Sequence, residues 1–367
     1  MIKVPTEEAK KSRLFELSIL NVALCLIVVF IHVSAKPVTE LDKNTWQYVA
    51  VLVPWRLSAF VVQGFVFLSG LRLFLGKSVD RPHHKFLGNR LMHIFLPYIV
   101  WVIVYYIYFC LKGYLTPRIT DLLRYIAFGD LVSPFYFIVI IAQFYILLPL
   151  WKKLIKKTNP VVLVVLSTVL TILFRQNLPD ILSDLIPGFT FRYNDRVFTS
   201  YLIYWILGCY AGANYEAFKK VLSDNRLIIT VFFCIAALGN AFLSLLSFSG
   251  MKYISWLENV HLLYCVSAVA FFSMSAVLLA GKIQHASGAR LAGSIKKVDR
   301  ISYGVYLSHS LVIFITDGIL TRINITSIGI SYLIRFCAVY TLTIGLLMLW
   351  RVFRDFIGAR IGPRISR

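Results

Sequence analysis

FELSILNVALCLIVVFIHVSA, residues 15–35, is an almost unbroken apolar run with a single histidine, His32, near its far end. About 20 consecutive apolar residues make a helix that crosses a hydrocarbon core of ~30 Å. An ionisable side chain inside such a helix is costly, so His32 is a candidate functional residue from the outset. Asn21, Cys25, Val28 and His32 fall at i, i+4, i+7 and i+11, which puts the polar residues of this run on one face.

The rest of the chain has the same character. It has 367 residues, 59% of them hydrophobic and 15% charged, with a mean hydropathy of +0.75. Continuous rather than alternating apolar runs exclude a transmembrane barrel and predict an all-α, polytopic membrane protein. Spans are expected at about 15–35, 48–75, 92–111, 134–151, 160–174, 198–215, 227–247, 259–280, 301–320 and 329–350, ten in all. They form a single integral membrane domain over 1–367, with basic tails at about 1–13 and 351–367. The first run is too long for a signal-peptide core and lacks a small-residue cleavage site, so it is read as retained. Ile119 to Phe128 is expected to form a short interfacial helix.

The formal charge of +21 is explained by topology. Segments 1–13, 77–90, 152–157, 216–226, 281–300 and 351–367 hold 25 Lys and Arg against 7 acids, whereas the alternate loops hold 10 against 8. This asymmetry places both termini in the cytoplasm and accounts for the basic excess without nucleic acid. The six cysteines (25, 110, 209, 234, 265 and 337) all lie in apolar runs. Their placement argues against a disulfide framework, and no Cys/His spacing suggests a metal site.

Five charges lie inside the expected spans: Glu16, Arg56, Arg72, Asp317 and Arg335. Buried charges need partners, and Asp317 is expected to pair with Arg335 or Arg56. Arg56, Gln63 and Gly70 recur every seven residues on one face. The small residues Ser69 and Gly70 would let either a neighbouring helix or a thin substrate approach the backbone. A basic patch follows, from Arg72 through Lys77, Arg81, His83, His84, Lys85, Arg90 and His93. It reads either as topology alone or as an anchor for a phosphate-bearing ligand. Ser302, Tyr306 and His309 share a face of the ninth span at i, i+4 and i+7. Counted from the start of that span His309 lies ~13 Å in, near mid-membrane. His32 and His309 are therefore expected at different depths, as two points on a polar path.

LNVALCLIVVFIH at 20–32, FVFLSG at 65–70 with NRLMHIFLPY at 89–98, and ISYGVYLSH at 301–309 resemble the acyltransferase-3 type of integral membrane O-acyltransferase. FYFIVIIAQFYILLP at 135–149 and YWILGCYAG at 204–212 are similar to that family's middle helices, so the resemblance covers nearly the whole chain. It implies an acyl-CoA donor, with acetyl-CoA the leading choice, on the cytoplasmic side of the cell membrane. It further implies an acceptor hydroxyl on an extracytoplasmic glycan or lipid-linked sugar, and the role of catalytic base for His32. The chemistry agrees, because an imidazole can take the proton of a hydroxyl that is a poor nucleophile at neutral pH. In this reading Arg72 and Arg90, with His93, hold the CoA phosphates, and Ser69 and Gly70 flank the pantetheine arm. Ser302, Tyr306 and His309 line the path or orient the donor. Direct transfer and an acyl-enzyme route both remain open, as do the acceptor, the acyl group and the oligomeric state.

The sequence departs from the family's pattern at three places. The arginine that many members carry eleven residues before the histidine is Asn21 here; the paired arginines after the SG motif are Arg90 and His93; and the usual middle-motif Trp is Tyr136. Arg56 or Arg335 could supply the missing positive charge from another helix. The rival reading is an exporter of a surface polysaccharide that uses the same polar residues as a translocation path.

Overall fold

A computed structural model describes residues 15–361 apart from 187, 189, 286 and 287; the expected basic tail at 1–13, residues 362–367 of the expected tail at 351–367, and the side chains beyond 355 lie outside the described residues. All regular structure among the described residues is helical. In chain order the α-helices are α1 (Phe15–Glu40), α2 (Trp46–Ser58), α3 (Val61–Leu75), α4 (His83–Arg90), α5 (Leu96–Leu111), α6 (Ile119–Phe128), α7 (Tyr136–Ile146) and α8 (Leu148–Lys157). Then come α9 (Pro160–Leu185), α10 (Leu202–Ala213), α11 (Tyr215–Asp224), α12 (Arg226–Phe248), α13 (Leu257–His285), α14 (Ala289–Arg322) and α15 (Ile328–Ile361). A π-helical turn, Leu91–Phe95, joins α4 to α5.

Among the described residues seven segments are long and apolar enough to cross a membrane, or up to nine if each of two bent pairs is one span. The chain is a multi-pass membrane protein. Several expected boundaries change. The span expected at 48–75 is present as Trp46–Leu75, divided by a break into α2 and α3, and the span expected from 92 begins at His83, so His83, His84, Lys85 and Arg90 of the basic patch sit on helix rather than loop. The spans expected from 301 and 329 belong to helices of 34 residues each. The span expected at 198–215 is a 3-10 turn followed by a helix of 12 residues, too short to pass on length. The expected short fifth span matches Pro160–Arg175, after which the helix bends by 63°. Pro179 explains the bend, since it offers no N–H to the Arg175 carbonyl and its ring crowds that group.

Local chemistry sets many of the ends. The Thr45 hydroxyl accepts from the Tyr48 N–H to cap α2, and Asn159 caps α9 ahead of Pro160 at the first helical position. The short helix expected over Ile119 to Phe128 is present as α6. It stops at Gly129, whose φ of 64° is left-handed and where a Cβ would lie 2.8 Å from the Phe135 carbonyl oxygen.

The chain divides into two compact units. The first takes the described residues of 1–59, 244–253 and 278–367, and is built on α1, α14 and α15. Contacts Asn21–Ser302 and His32–His309 show that α1 and α14 run parallel. Tyr340 bonds the Leu26 carbonyl, Phe30 meets Phe336, and Ser34 bonds Tyr332, so α15 runs antiparallel to α1. The second unit takes 60–243 and 254–277. Its axis is the parallel pair α3 and α10, where glycines bring backbone against backbone. A Cβ at Gly70 would lie 2.9 Å from the Trp205 carbonyl oxygen, and Cβ atoms at Gly208 and Gly212 would collide with the carbonyls of Phe67 and Leu71. Trp205, fully buried, stacks on Phe144 at 4.5 Å behind this seam.

Candidate functional site

In the first unit, α1 and α14 bring the two histidines of the sequence motifs together, with ring centroids 5.2 Å apart and planes inclined at 38°. They therefore lie at one level, not at two depths. The expected difference came from starting the ninth span at 301. The helix starts at Ala289, which puts His309 twenty residues in, while His32 is seventeen residues into α1. At 1.5 Å per residue these are ~30 and ~26 Å along parallel helices.

The two rings differ in environment. His32 is partly exposed, and among the described residues no hydrogen bond reaches its ring nitrogens. His309 is fully buried. Its Nδ1 lies 2.9 Å from the Val305 carbonyl oxygen. A carbonyl can only accept, so Nδ1 carries the proton and Nε2 presents a lone pair. That Nε2 is buried and has no hydrogen-bond partner among the described residues. Tyr306 packs beside it, 6.5 Å from the His309 ring and stacked on Tyr303.

About three turns before His32 on α1, Asn21 stands where the resembled pattern has an arginine, and its surroundings explain what it does. Its amide donates to Asp299 Oδ1 at 2.6 Å and to Ser302 Oγ at 2.8 Å. Ser18 donates to the other Asp299 oxygen at 2.8 Å. Ser302 in turn donates to the Asp299 carbonyl. Asn21 and Ser302 thus lock α1 to α14, and the group they converge on, Asp299, was not singled out from the sequence because it sits in a stretch read as loop. Among the candidate charges, Arg335 pairs with Asp317 at 2.7 Å, as expected. Arg56 takes other partners: its Nε donates to Ser244 Oγ at 3.2 Å and its guanidinium lies over Phe248.

In the second unit, Arg90 is held between two aromatic faces, 5.0 Å from the Phe86 centroid and 5.1 Å from that of Tyr145. Its Nε is buried with no hydrogen-bond partner among the described residues. The Tyr145 hydroxyl bonds Ser69, and Arg72 lies within electrostatic range of the same hydroxyl. Ser69, Arg72, Arg90 and Tyr145 therefore form one cluster, and Arg72 keeps an exposed side chain. Tyr145 escaped the sequence reading because it sits in the long apolar run of α7. Gly70 faces α10, so of the two roles open to it the structure uses the helix contact. His93 is exposed on the π-helical turn, and its Nδ1 donates to the Asn89 carbonyl. No metal-binding group of three or more His, Cys, Asp or Glu occurs among the described residues.

A family model described as "Acyltransferase domain" matches residues 16–350. The chain is 24% identical over 363 residues to a probable poly-beta-1,6-N-acetyl-D-glucosamine export protein of Staphylococcus epidermidis, covering 95% of each chain. It is likewise 24% identical over 374 residues to the protein of that name from Staphylococcus aureus strain MSSA476, covering 95% of this chain and 97% of the relative. No solved structure matches the chain.

Proposed function

The chain belongs to the acyltransferase-3 family, and from that premise we propose that it moves an acyl group from cytoplasmic acyl-CoA to a hydroxyl of an extracytoplasmic glycan or lipid-linked sugar. The observation that carries the proposal is a partly exposed His32 whose ring nitrogens are unengaged, held against a buried second imidazole. In this reading His32 takes the proton from the acceptor hydroxyl as its oxygen attacks the thioester carbonyl. The carbon–sulfur bond breaks, CoA leaves as thiolate, and the imidazolium returns the proton to that sulfur. Arg90 and Arg72, with the Ser69–Tyr145 pair, hold the donor's phosphates. A guanidinium pinned between aromatic faces loses little freedom on binding a phosphate, and its orphaned Nε offers a ready donor. Acetyl-CoA is the proposed donor and the cell membrane the proposed location.

The proposed topology has ten crossings and both termini in the cytoplasm. The antiparallel course of α1 and α15 supports an even number of crossings. Counting α10 beside the seven long segments and the two bent pairs makes ten. The charge asymmetry of the loops supports the cytoplasmic side.

The second reading, polysaccharide export, is favoured by the names of the staphylococcal relatives. One experiment separates the two. Purified protein in detergent is incubated with acetyl-CoA, and thermal stabilisation and slow thioester hydrolysis are measured beside surface-glycan acylation in cells carrying His32→Ala. The acyltransferase reading predicts stabilisation and hydrolysis, and loss of acylation in the variant. Neither stabilisation nor hydrolysis, with acylation unchanged in the variant, refutes it.

A further inference from the structure

His309 has a feature that the proposed chemistry does not use: a fully buried imidazole whose proton is committed and whose lone pair is not. The Val305 carbonyl fixes the proton on Nδ1, so Nε2 is an acceptor in the neutral ring. An acceptor left without a donor in a buried site costs about 1–3 kcal/mol. Cores seldom retain such a group without a reason. A side chain that could answer it is His32, at a ring separation of 5.2 Å. Two imidazoles with centroids 5.2 Å apart are close enough for a nitrogen of one to come within hydrogen-bond distance, about 3 Å, of a nitrogen of the other. His32 is the partly exposed member, so its ring has room to turn, whereas His309 is packed on all sides.

We propose that His309 is a positioning residue that accepts the N–H of His32 on its Nε2, fixing the His32 tautomer so that the opposite nitrogen is bare toward the acceptor hydroxyl. A neutral imidazole has one donor and one acceptor nitrogen, and a base needs the acceptor aimed at its substrate. A partner that takes only the donor removes the other tautomer, as the second hydrogen bond of a working histidine does generally. Among the described residues, the two carboxylates of α14 are engaged elsewhere: Asp299 by Ser18 and Asn21 near the start of α1, and Asp317 by Arg335. The unprotonated face of His309 fills that role. The proposal deepens the reading of His32 as base and rests on it for its catalytic meaning, but the contact between the two rings is testable without turnover.

The test uses the full chain in detergent, with diethyl pyrocarbonate as probe and mass spectrometry of the His32 peptide as readout. The reagent attacks an unprotonated imidazole nitrogen, and it attacks faster when the other nitrogen's proton is held by an acceptor. At about pH 8, where a free histidine is neutral, His309→Leu should slow carbethoxylation of His32 about threefold or more. His309→Gln, whose side-chain oxygen reaches the position of Nε2, should restore the rate. In the acyl-transfer assay His309→Leu should lower kcat roughly 10- to 100-fold, a part of the ~10²–10⁴-fold that a well-positioned base contributes, with KM for acetyl-CoA unchanged. A merely structural role predicts the opposite sign, since loosened packing would expose His32 and speed its modification. An unchanged or faster rate in His309→Leu, or a His309→Gln as slow as the leucine variant, overturns the proposal. If the wild type transfers no acyl group while the modification pattern holds, the base role of His32 fails and the histidine pair stands.

Discussion

Gly208→Ala is the perturbation whose cost follows most directly from the packing of α3 against α10. The added methyl carbon would collide with the carbonyl oxygen of Phe67 on α3, with the Phe67 carbonyl carbon at 3.0 Å and its Cα at 3.1 Å. All of these are backbone atoms, so no rotamer change can clear the space. The helices α3 and α10 have to part by roughly 1 Å, a gap that forfeits a quarter to a half of the attraction between facing atoms. Overpacking of this kind costs about 1–3 kcal/mol, and more when backbone must move. In a bilayer the loss is not offset by lipid, because close packing itself is what holds such helices together. The assay is thermal unfolding of purified protein in detergent, followed by fluorescence-detected size exclusion. Gly239→Ala on α12 is the control, since a Cβ there meets nothing within 4 Å; it should change stability by no more than about 0.5 kcal/mol. Gly70→Ala, 2.9 Å from the Trp205 carbonyl oxygen, should fall between the two. Equal stability of Gly208→Ala and Gly239→Ala would refute the backbone-to-backbone seam.

Removing one member of the Asp317–Arg335 pair should be worse than removing both. Arg335 is only 2% exposed, so Asp317→Leu should cost about 3–5 kcal/mol and Asp317→Leu with Arg335→Leu should recover most of it in the same thermal assay. Asp299→Asn should lower stability by about 1.5–3 kcal/mol, since Ser18 and Asn21 then donate to a neutral group, and Asn21→Leu should add little on that background in a double-mutant cycle. Arg90→Ala should weaken acetyl-CoA binding about tenfold by calorimetry, and Arg90→Lys should not restore it, because an ammonium cannot stack as a plane between Phe86 and Tyr145. Equal affinity in wild type and both variants would reduce the basic patch to a topology signal.

The membrane class, the candidacy of His32, the Asp317–Arg335 pair and the helix over 119–128 were all legible from local pattern. Apolar run length, the cost of an intramembrane charge and amphipathic spacing act within one or two segments, so they can be read along the chain. Helix ends were less legible: α14 begins twelve residues before the expected span, because a polar helical extension has no apolar signature. That shift misplaced His309 in depth. The span at 198–215 shows the reverse problem, an apolar run whose helix proves too short to identify as a span by length.

Partnerships between distant residues decided the rest. Asn21 read as a defect in a family pattern, yet its amide is used on Asp299 and Ser302, 278 and 281 positions away. Gly70 could have served a substrate or a helix, and Trp205 of α10 occupies that side of it. Tyr145 became part of the arginine cluster only because α7 carries its ring to Arg90 and its hydroxyl to Ser69. The sequence by itself determined that helices form and cross a membrane, since burial of backbone polar groups in lipid leaves no other choice. Only tertiary structure decided that His32 and His309 face each other, because parallel packing of two helices whose motifs lie 277 positions apart is set by side-chain contacts that no periodicity along the chain encodes.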